Sequence, residues 1–411
     1  MEPCVGDMTP IILRAICWAL GLETFTVSVS GRSPNAVEVH FKRSAPASVY
    51  SGLVIASQTV FWAHRLAYYV GQNWTDVEFT WSSSSLVTAL YVATLTSLVG
   101  MNINYGHRRQ IVQTLCHVDQ GLGPNLRNYG GSRNLTKMTT IFLSYFTIQG
   151  FMELWVLWLQ SYLFTLINVA CFIIYHLIFV TVSLNYTCWV LLVKQRLVIL
   201  NRELGNVSSN FSLHNFLREF EPTTRITRIN VLHNVSLGTH NLHSAARILS
   251  IRVTYEKLCK IIDLINVAYG IQVLSLILAV LVVITNGIHL GVYIKFNYPN
   301  TSFSMFYVFI SRSMLYLSAM VRVISSCHGA NLEVSRTVDI IQDFLSGGTL
   351  DEDITEQLKS FHHQISSRDV SLSAGNFFKI DYILFGSMVI SGLNYLIILF
   401  QMTFSKVNKK P

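Results

Sequence analysis

Seven stretches of this chain are each long and apolar enough to cross a lipid bilayer, which removes nearly every water-soluble fold from consideration. A helix advances about 1.5 Å per residue, so roughly 20 residues span a hydrocarbon core of about 30 Å. The segments run Ser48 to Val70, Ser84 to Ile103, Met138 to Gln160, Tyr162 to Val193, Val267 to Tyr293, Phe303 to Cys327 and Phe377 to Phe404. Lipid offers the backbone no hydrogen-bond partners, and a segment that must satisfy its own does so as a helix. The expected fold is all-α, a polytopic membrane protein with seven transmembrane helices. The fourth and seventh segments exceed what a bilayer requires, so their cytosolic ends are expected to continue as helix.

Orientation follows from Lys and Arg, which are retained in short cytosolic loops. The N-terminal segment carries Arg14, Arg32, Lys42 and Arg43, and the second loop carries Arg108, Arg109, Arg127, Arg133 and Lys137. The loop from Lys194 to Lys260 is richer still, whereas Gly71 to Ser83 has no basic residue. The N-terminus is therefore expected in the cytosol, and an odd number of spans places the C-terminus outside. Lys406, Lys409 and Lys410 on that outer tail run against the pattern.

This divides the chain into a cytosolic N-terminal segment 1–47, a six-helix bundle 48–327, a cytosolic anchor 328–376, a seventh helix 377–404 and an outer tail 405–411. Ile12, Ile16, Ala19 and Leu20 recur at helical spacing, which predicts a short amphipathic helix on the inner interface. Asn201 to Ser250 is polar and interrupted by Pro222, and reads as cytosolic. Helical periodicity returns in Ile251, Tyr255, Leu258, Ile262 and Ile265, and again in Leu332, Val338, Ile341, Phe344 and Leu345. These two stretches are expected to pack together beneath the membrane. Gly347 and Gly348 end the second, and Asp351 opens a further helix with Glu352, Asp353 and Glu356 near its positive end.

A formal charge of +8 raises nucleic acid as a partner, but no Lys/Arg block with interleaved aromatics supports it. Seven cysteines show neither a CxxC pair nor zinc-ligand spacing, and no cofactor is expected. No carboxylate pair or nucleophile-base motif points to an enzyme.

Ionisable side chains within spans are costly, and depth separates a functional group from one that snorkels to the interface. Arg65 and Arg322 lie near span ends and read as snorkelling. Glu153 and Arg312 lie about 10 and 13 Å below the outer surface, at comparable depth, and either pair inside the bundle or face separate crevices. At that level stand Trp155, Trp158, Tyr162, Asn168, Asn286, His289, Tyr307 and Ser311. Aromatics with a few polar groups suit a small-molecule pocket, the alternative being an interfacial aromatic belt with ordinary packing. His176 reads as hydrogen-bonded packing rather than a metal ligand.

Ser387, Ser391, Asn394, Ile398 and Gln401 recur at spacings of 4, 3, 4 and 3, which puts them on one seam of an otherwise apolar last span. The seam is either hydrogen-bonding glue between helices or the lining of a water-filled pore. Gly386 and Gly392 permit close helix approach under both readings.

The end of that span reads Asn394, Tyr395, Leu396, Ile397, Ile398, Leu399, Phe400, Gln401, Met402. It resembles the signature of insect gustatory receptors, Thr-Tyr, five apolar residues and Gln-Phe: Tyr395, the apolar run and Gln401 match, while Asn394 and Met402 depart. Span number, length near 400 and the inward N-terminus are similar to the same family. The resemblance implies a ligand-gated, non-selective cation channel of four like or mixed subunits in the plasma membrane of sensory neurons. It implies that the last span lines the pore, with Gln401 and Met402 at the outer constriction, and that a small-molecule tastant or pheromone binds each outer bundle. One acid, Glu153, in that region favours bitter or pheromone-like compounds over sugars. A G-protein-coupled receptor is the alternative seven-span protein, but neither Asp-Arg-Tyr nor Asn-Pro-x-x-Tyr occurs where that class places them. A secondary transporter is the other, though no internal repeat is visible.

Overall fold

The structure is a computed structural model. It describes residues 11–23, 25–30, 38–71, 77–122, 137, 139–141, 144–145, 147–151, 163–219, 229–297, 303–346 and 352–407. The described helices are α1 (Ile11–Ala19), α2 (Ala45–Gly71), α3 (Val77–Ile103), α4 (Tyr105–Leu122), α5 (Leu163–Glu219), α6 (Ile229–Asn297), α7 (Phe303–Ser346), α8 (Glu352–Ser366) and α9 (Tyr382–Val407). Helical residues also occur within 137–151, where the third span is expected, and 152–160 lies outside the described residues.

Among the described residues, five helices are long and apolar enough to cross a membrane, namely stretches of α3, α5, α6, α7 and α9. α2 covers the first expected span at 27 residues. Its start is set locally: Ser44 Oγ accepts the Ala47 amide at 3.4 Å, and Pro46 sits in the first turn, where no intrahelical donor is missed.

α5 and α6 run to 57 and 69 residues, about 85 and 100 Å, so both project far beyond a 30 Å hydrocarbon core. The polar stretch 201–250 is thus helical on both sides of 220–228, which lies outside the described residues. Amphipathic packing sustains the projecting parts. Tyr255, Leu258, Ile262 and Ile265 of α6 are buried, as are Ile341 and Phe344 of α7. Leu332 departs from the expected face and stands exposed, because Val334, Thr337 and Ile341 turn inward instead. α8 closes this lower bundle with Ile354, Leu358, Phe361 and Ile365, and Phe361 meets Tyr255 edge-on at 5.5 Å.

The expectation of an all-α chain needs amending in two places. An antiparallel pair joins β1 (Phe25–Ser30) to β2 (Glu38–Arg43), and another joins β3 (Ser373–Ala374) to β4 (Phe378–Lys379). The second pair moves the start of the last helix from Phe377 to Tyr382. α4 was not foreseen, although Ile111, Leu115 and Val118, with Val112, Cys116 and Asp119, bury one face at helical spacing.

α1 forms where the sequence predicts, but the positions it buries are Leu13 and Cys17, directed into protein together with the expected Leu20 just past its end. Tyr50 donates to the Ala19 carbonyl at 2.6 Å, and Gly21 takes φ +70° against the Ser51 backbone. Arg108 of α4 lies 3.6 Å from Glu23. Burial pushes the Glu23 carboxyl up, and Arg108 and Arg14 pull it back. Burial also raises the Cys17 thiol, helped by Glu23, and keeps it neutral. Nearby, Arg196 of α5 holds Asp119 of α4 through two parallel bonds of 3.0 Å.

Candidate ligand pocket and pore helix

In α5, Phe172, Tyr175, His176 and Phe179 follow one another at steps of 3, 1 and 3, and so occupy one face of the helix. That face collects Phe61 and Arg65 from α2, and Phe309, Arg312 and Tyr316 from α7. Phe61 lies 6.5 Å from Phe172 and 6.0 Å from Tyr175. The guanidinium carbons of Arg65 and Arg312 stand 5.6 and 5.4 Å from the Phe172 ring centre, and Arg312 is also 5.8 Å from Phe309. Ring quadrupoles attract cations at such distances, most strongly where water is excluded. Arg65, read from sequence as snorkelling, lays its head over a ring. Tyr316 and His176 Nδ1 share a hydrogen bond of 2.5 Å, and Tyr316 packs on Phe179 at 4.3 Å. His176 is therefore a hydrogen-bonded packing residue, as its sequence position suggests. Alongside, Tyr145 donates to the Ser311 carbonyl at 3.2 Å, which ties the described helical residues around Tyr145 to α7.

The candidates named from sequence separate into two places. Arg312 belongs to the α2–α5–α7 cluster, with Ser311 half-buried beside it. Ser311 Oγ bonds within its own helix to the Val308 carbonyl at 3.1 Å, and Tyr307 is exposed. Asn286 and His289 lie elsewhere, buried between α6 and α3: Asn286 donates to Ser85 Oγ at 3.0 Å, and His289 Nδ1 meets Ser82 Oγ at 3.2 Å. Deeper on the same pair of helices, Thr96 and Ser275 are 2.6 Å apart. The Asn168 side chain, Glu153, Trp155, Trp158 and Tyr162 lie outside the described residues, and with them the pairing of Glu153 with Arg312. Sequence reading missed Phe61, Phe172, Tyr175 and Tyr316. The recurrence of aromatics along α5 was the available signal.

His289 also faces Phe400 of α9, at 6.0 Å between ring centres. α9 packs on α6 there and at Gly392, where an added Cβ would stand 3.4 Å from Leu281 and 3.5 Å from Thr285. Gly386, by contrast, has nothing within 4 Å of such a Cβ. Away from this contact face α9 is largely exposed: 11% of its apolar stretch is buried, against 89% for α5. At about 100° per residue, Phe385, Met388, Gly392, Leu396 and Leu399 form the contact face. Ser387, Ser391, Asn394, Ile398 and Gln401 cluster roughly 140° away from it. All five are exposed, as are Tyr395 and Met402 on one flank and Val389 and Leu393 on the other.

Long apolar helices, the projecting helical bundle that continues from them and an aromatic, guanidinium-bearing cluster among them describe a multi-pass membrane protein fold. The profile of the 7tm chemosensory receptor family matches residues 15–405, and the chain belongs to that family, which includes the insect gustatory and olfactory receptors. It is 24% identical over 244 residues to putative gustatory receptor 28b of Drosophila melanogaster, covering 58% of this chain and 51% of that protein. The chain thus spans about half the length of the curated relative it matches. Its fold is similar to that of the olfactory receptor OR5 from Machilis hrabei, with a TM-score of 0.67, 11% identity, and 95% and 97% of the two chains covered. For the same receptor in complex with eugenol the TM-score is 0.69, with the same identity and coverage.

Proposed function

We propose that this chain is a gustatory receptor subunit that assembles as a homo- or heterotetramer into a ligand-gated, non-selective cation channel in the plasma membrane of sensory neurons. In this reading it crosses the membrane seven times with its N-terminus in the cytosol. The observation that carries the proposal is α9: an apolar helix whose own subunit covers one face and leaves the polar seam bare. Ser387 Oγ bonds the Ile383 carbonyl of its own helix at 3.0 Å, but the Asn394 and Gln401 amides facing lipid would go unsatisfied, whereas four such seams around an axis would line a wet conduit. The seam has no acid, so selection among cations would be loose. Gln401 and Met402 would form the outer constriction.

The ligand would bind at the α2–α5–α7 cluster. Rings set edge-on or tilted to one another, with two guanidinium groups over them, suit largely apolar aromatic compounds better than sugars, which need several convergent amides or carboxylates. Bitter or pheromone-like compounds fit this lining, and the eugenol complex of OR5 provides a small aromatic precedent in a protein of the same fold.

Single cysteines at Ser387, Ser391, Asn394 and Gln401, treated with a charged thiol reagent during whole-cell recording, test the pore. Modification at these positions should alter current, while modification at Leu396 and Leu399 should not. Equal sensitivity of the two sets, or an untreated protein that passes no current with a panel of aromatic bitter compounds, would refute the channel reading.

A further inference from the structure

The fifteen residues 367–381 that join α8 to α9 are held by the bundle rather than left as a loop. Asn266 of α6 grips the segment with both halves of its amide, donating to the Ser371 carbonyl at 2.8 Å and accepting the Ser373 N–H at 3.0 Å. It thereby pairs with this chain as a neighbouring strand would. From the other side, Asn331 of α7 accepts the Leu372 N–H at 3.1 Å. Val370, Leu372, Ala374 and Ile380 are buried among these helices.

The turn that follows is equally constrained. Gly375 and Asn376 both take positive φ, 59° and 62°, and Phe377 donates back to the Ala374 carbonyl at 3.1 Å. Two consecutive left-handed residues make the tight reversal that matches strand twist. Gly270 of α6 lies directly against this turn: a Cβ on it would stand 2.7 Å from Gly375 N and 2.9 Å from Gly375 Cα. Those are backbone atoms that no rotamer change moves aside. Ile380 then returns its N–H to the Leu372 carbonyl at 3.0 Å, and Asp381 caps α9 by accepting the Leu384 N–H at 2.9 Å. No slack residue separates clamp from helix.

We infer that Asn266, with the Gly270–Gly375 backbone contact, is a positioning device that fixes the rotation and height of α9, and so decides which of its faces forms the seam presented to the pore. The inference rests on the pore reading above. A one-residue slip would turn the helix by about 100° and replace Ser387 and Asn394 by their apolar neighbours. Beyond the clamp, α9 meets its own subunit through packing contacts along one face, among them Tyr382 against His328, Gly392 against Leu281 and Phe400 against His289.

The test uses the full-length protein with Thr285→Cys and Gly392→Cys, whose side chains face each other across α6 and α9, and follows disulfide formation under mild oxidation. Adding Asn266→Leu removes two hydrogen bonds, and adding Gly270→Val instead forces the turn off α6. Asn266→Leu should lower the cross-linking rate about tenfold, the effect expected from losing two part-buried bonds, and Gly270→Val should lower it as well. Asn266→Asp keeps the acceptor and loses the donor, and should fall between. In channels carrying single cysteines on α9, Asn266→Leu should also spread thiol sensitivity from Ser387, Ser391 and Asn394 to Met388 and Tyr395. A purely structural role would reduce surface protein and total current together, leaving the sensitive positions unchanged. Unaltered cross-linking in both variants would overturn the inference whether or not current is observed. A parent protein without current but with the cross-linking loss would instead refute the pore reading and retain the positioning role.

Discussion

Asp119 and Arg196 form a buried ion pair whose removal has a calculable consequence. Their side chains are 3% and 6% exposed, the two bonds are both 3.0 Å, and Arg196 Nη1 also reaches the Leu192 carbonyl at 3.2 Å. At an effective dielectric constant of 20, two unit charges 3 Å apart attract by about 5 kcal/mol, most of it offset by the loss of hydration on burial. Deleting one partner leaves that offset uncompensated, so Asp119→Leu and Arg196→Met should each cost about 3–5 kcal/mol. At the lower bound this is about a hundredfold in the ratio of folded to unfolded protein. The double variant strands no charge and should recover most of the loss. Unfolding in a graded series of denaturing and mild detergent mixtures, followed by tryptophan fluorescence, gives all four values. Singles within about 1 kcal/mol of the parent, or a double variant as weak as the sum of the singles, would refute the reasoning.

Glu23 supplies a pH test. Its folded pKa is raised above the ordinary value, so the folded state gains protons first and the wild type should gain stability relative to Glu23→Gln as pH falls through that raised value. A melting temperature that instead falls relative to the variant on acidification would show Glu23 to be held mainly by its ion pair with Arg108. Gly392→Leu should cost about 1–3 kcal/mol in the same detergent unfolding assay, because Leu281 and Thr285 already meet the position of its Cβ, while Gly386→Leu should be near neutral in a dissociated subunit.

Runs of about 20 apolar residues determined membrane helices by themselves, because backbone satisfaction in lipid leaves one local solution whatever the neighbours. The α8 start at Glu352 and the seam on the last helix were legible for the same reason: helix ends and helical faces are set by residues a few positions apart. The seam's exposure on α9 was not, since periodicity puts residues on one face without naming the partner that face meets. The same gap explains Leu332, whose spacing fits a buried stripe that the bundle places one step around the helix. It explains Arg65, whose depth in its span does not name the Phe172 ring, more than a hundred residues away, that its guanidinium meets. Asn286 and His289 share a level with Arg312 in sequence and lie in a different interface in space, because depth in a bilayer fixes one coordinate and packing fixes the other two. Asn266 carried no signal at all: an amide in a helix becomes a clamp only when tertiary structure brings a strand's N–H and C=O to both of its ends.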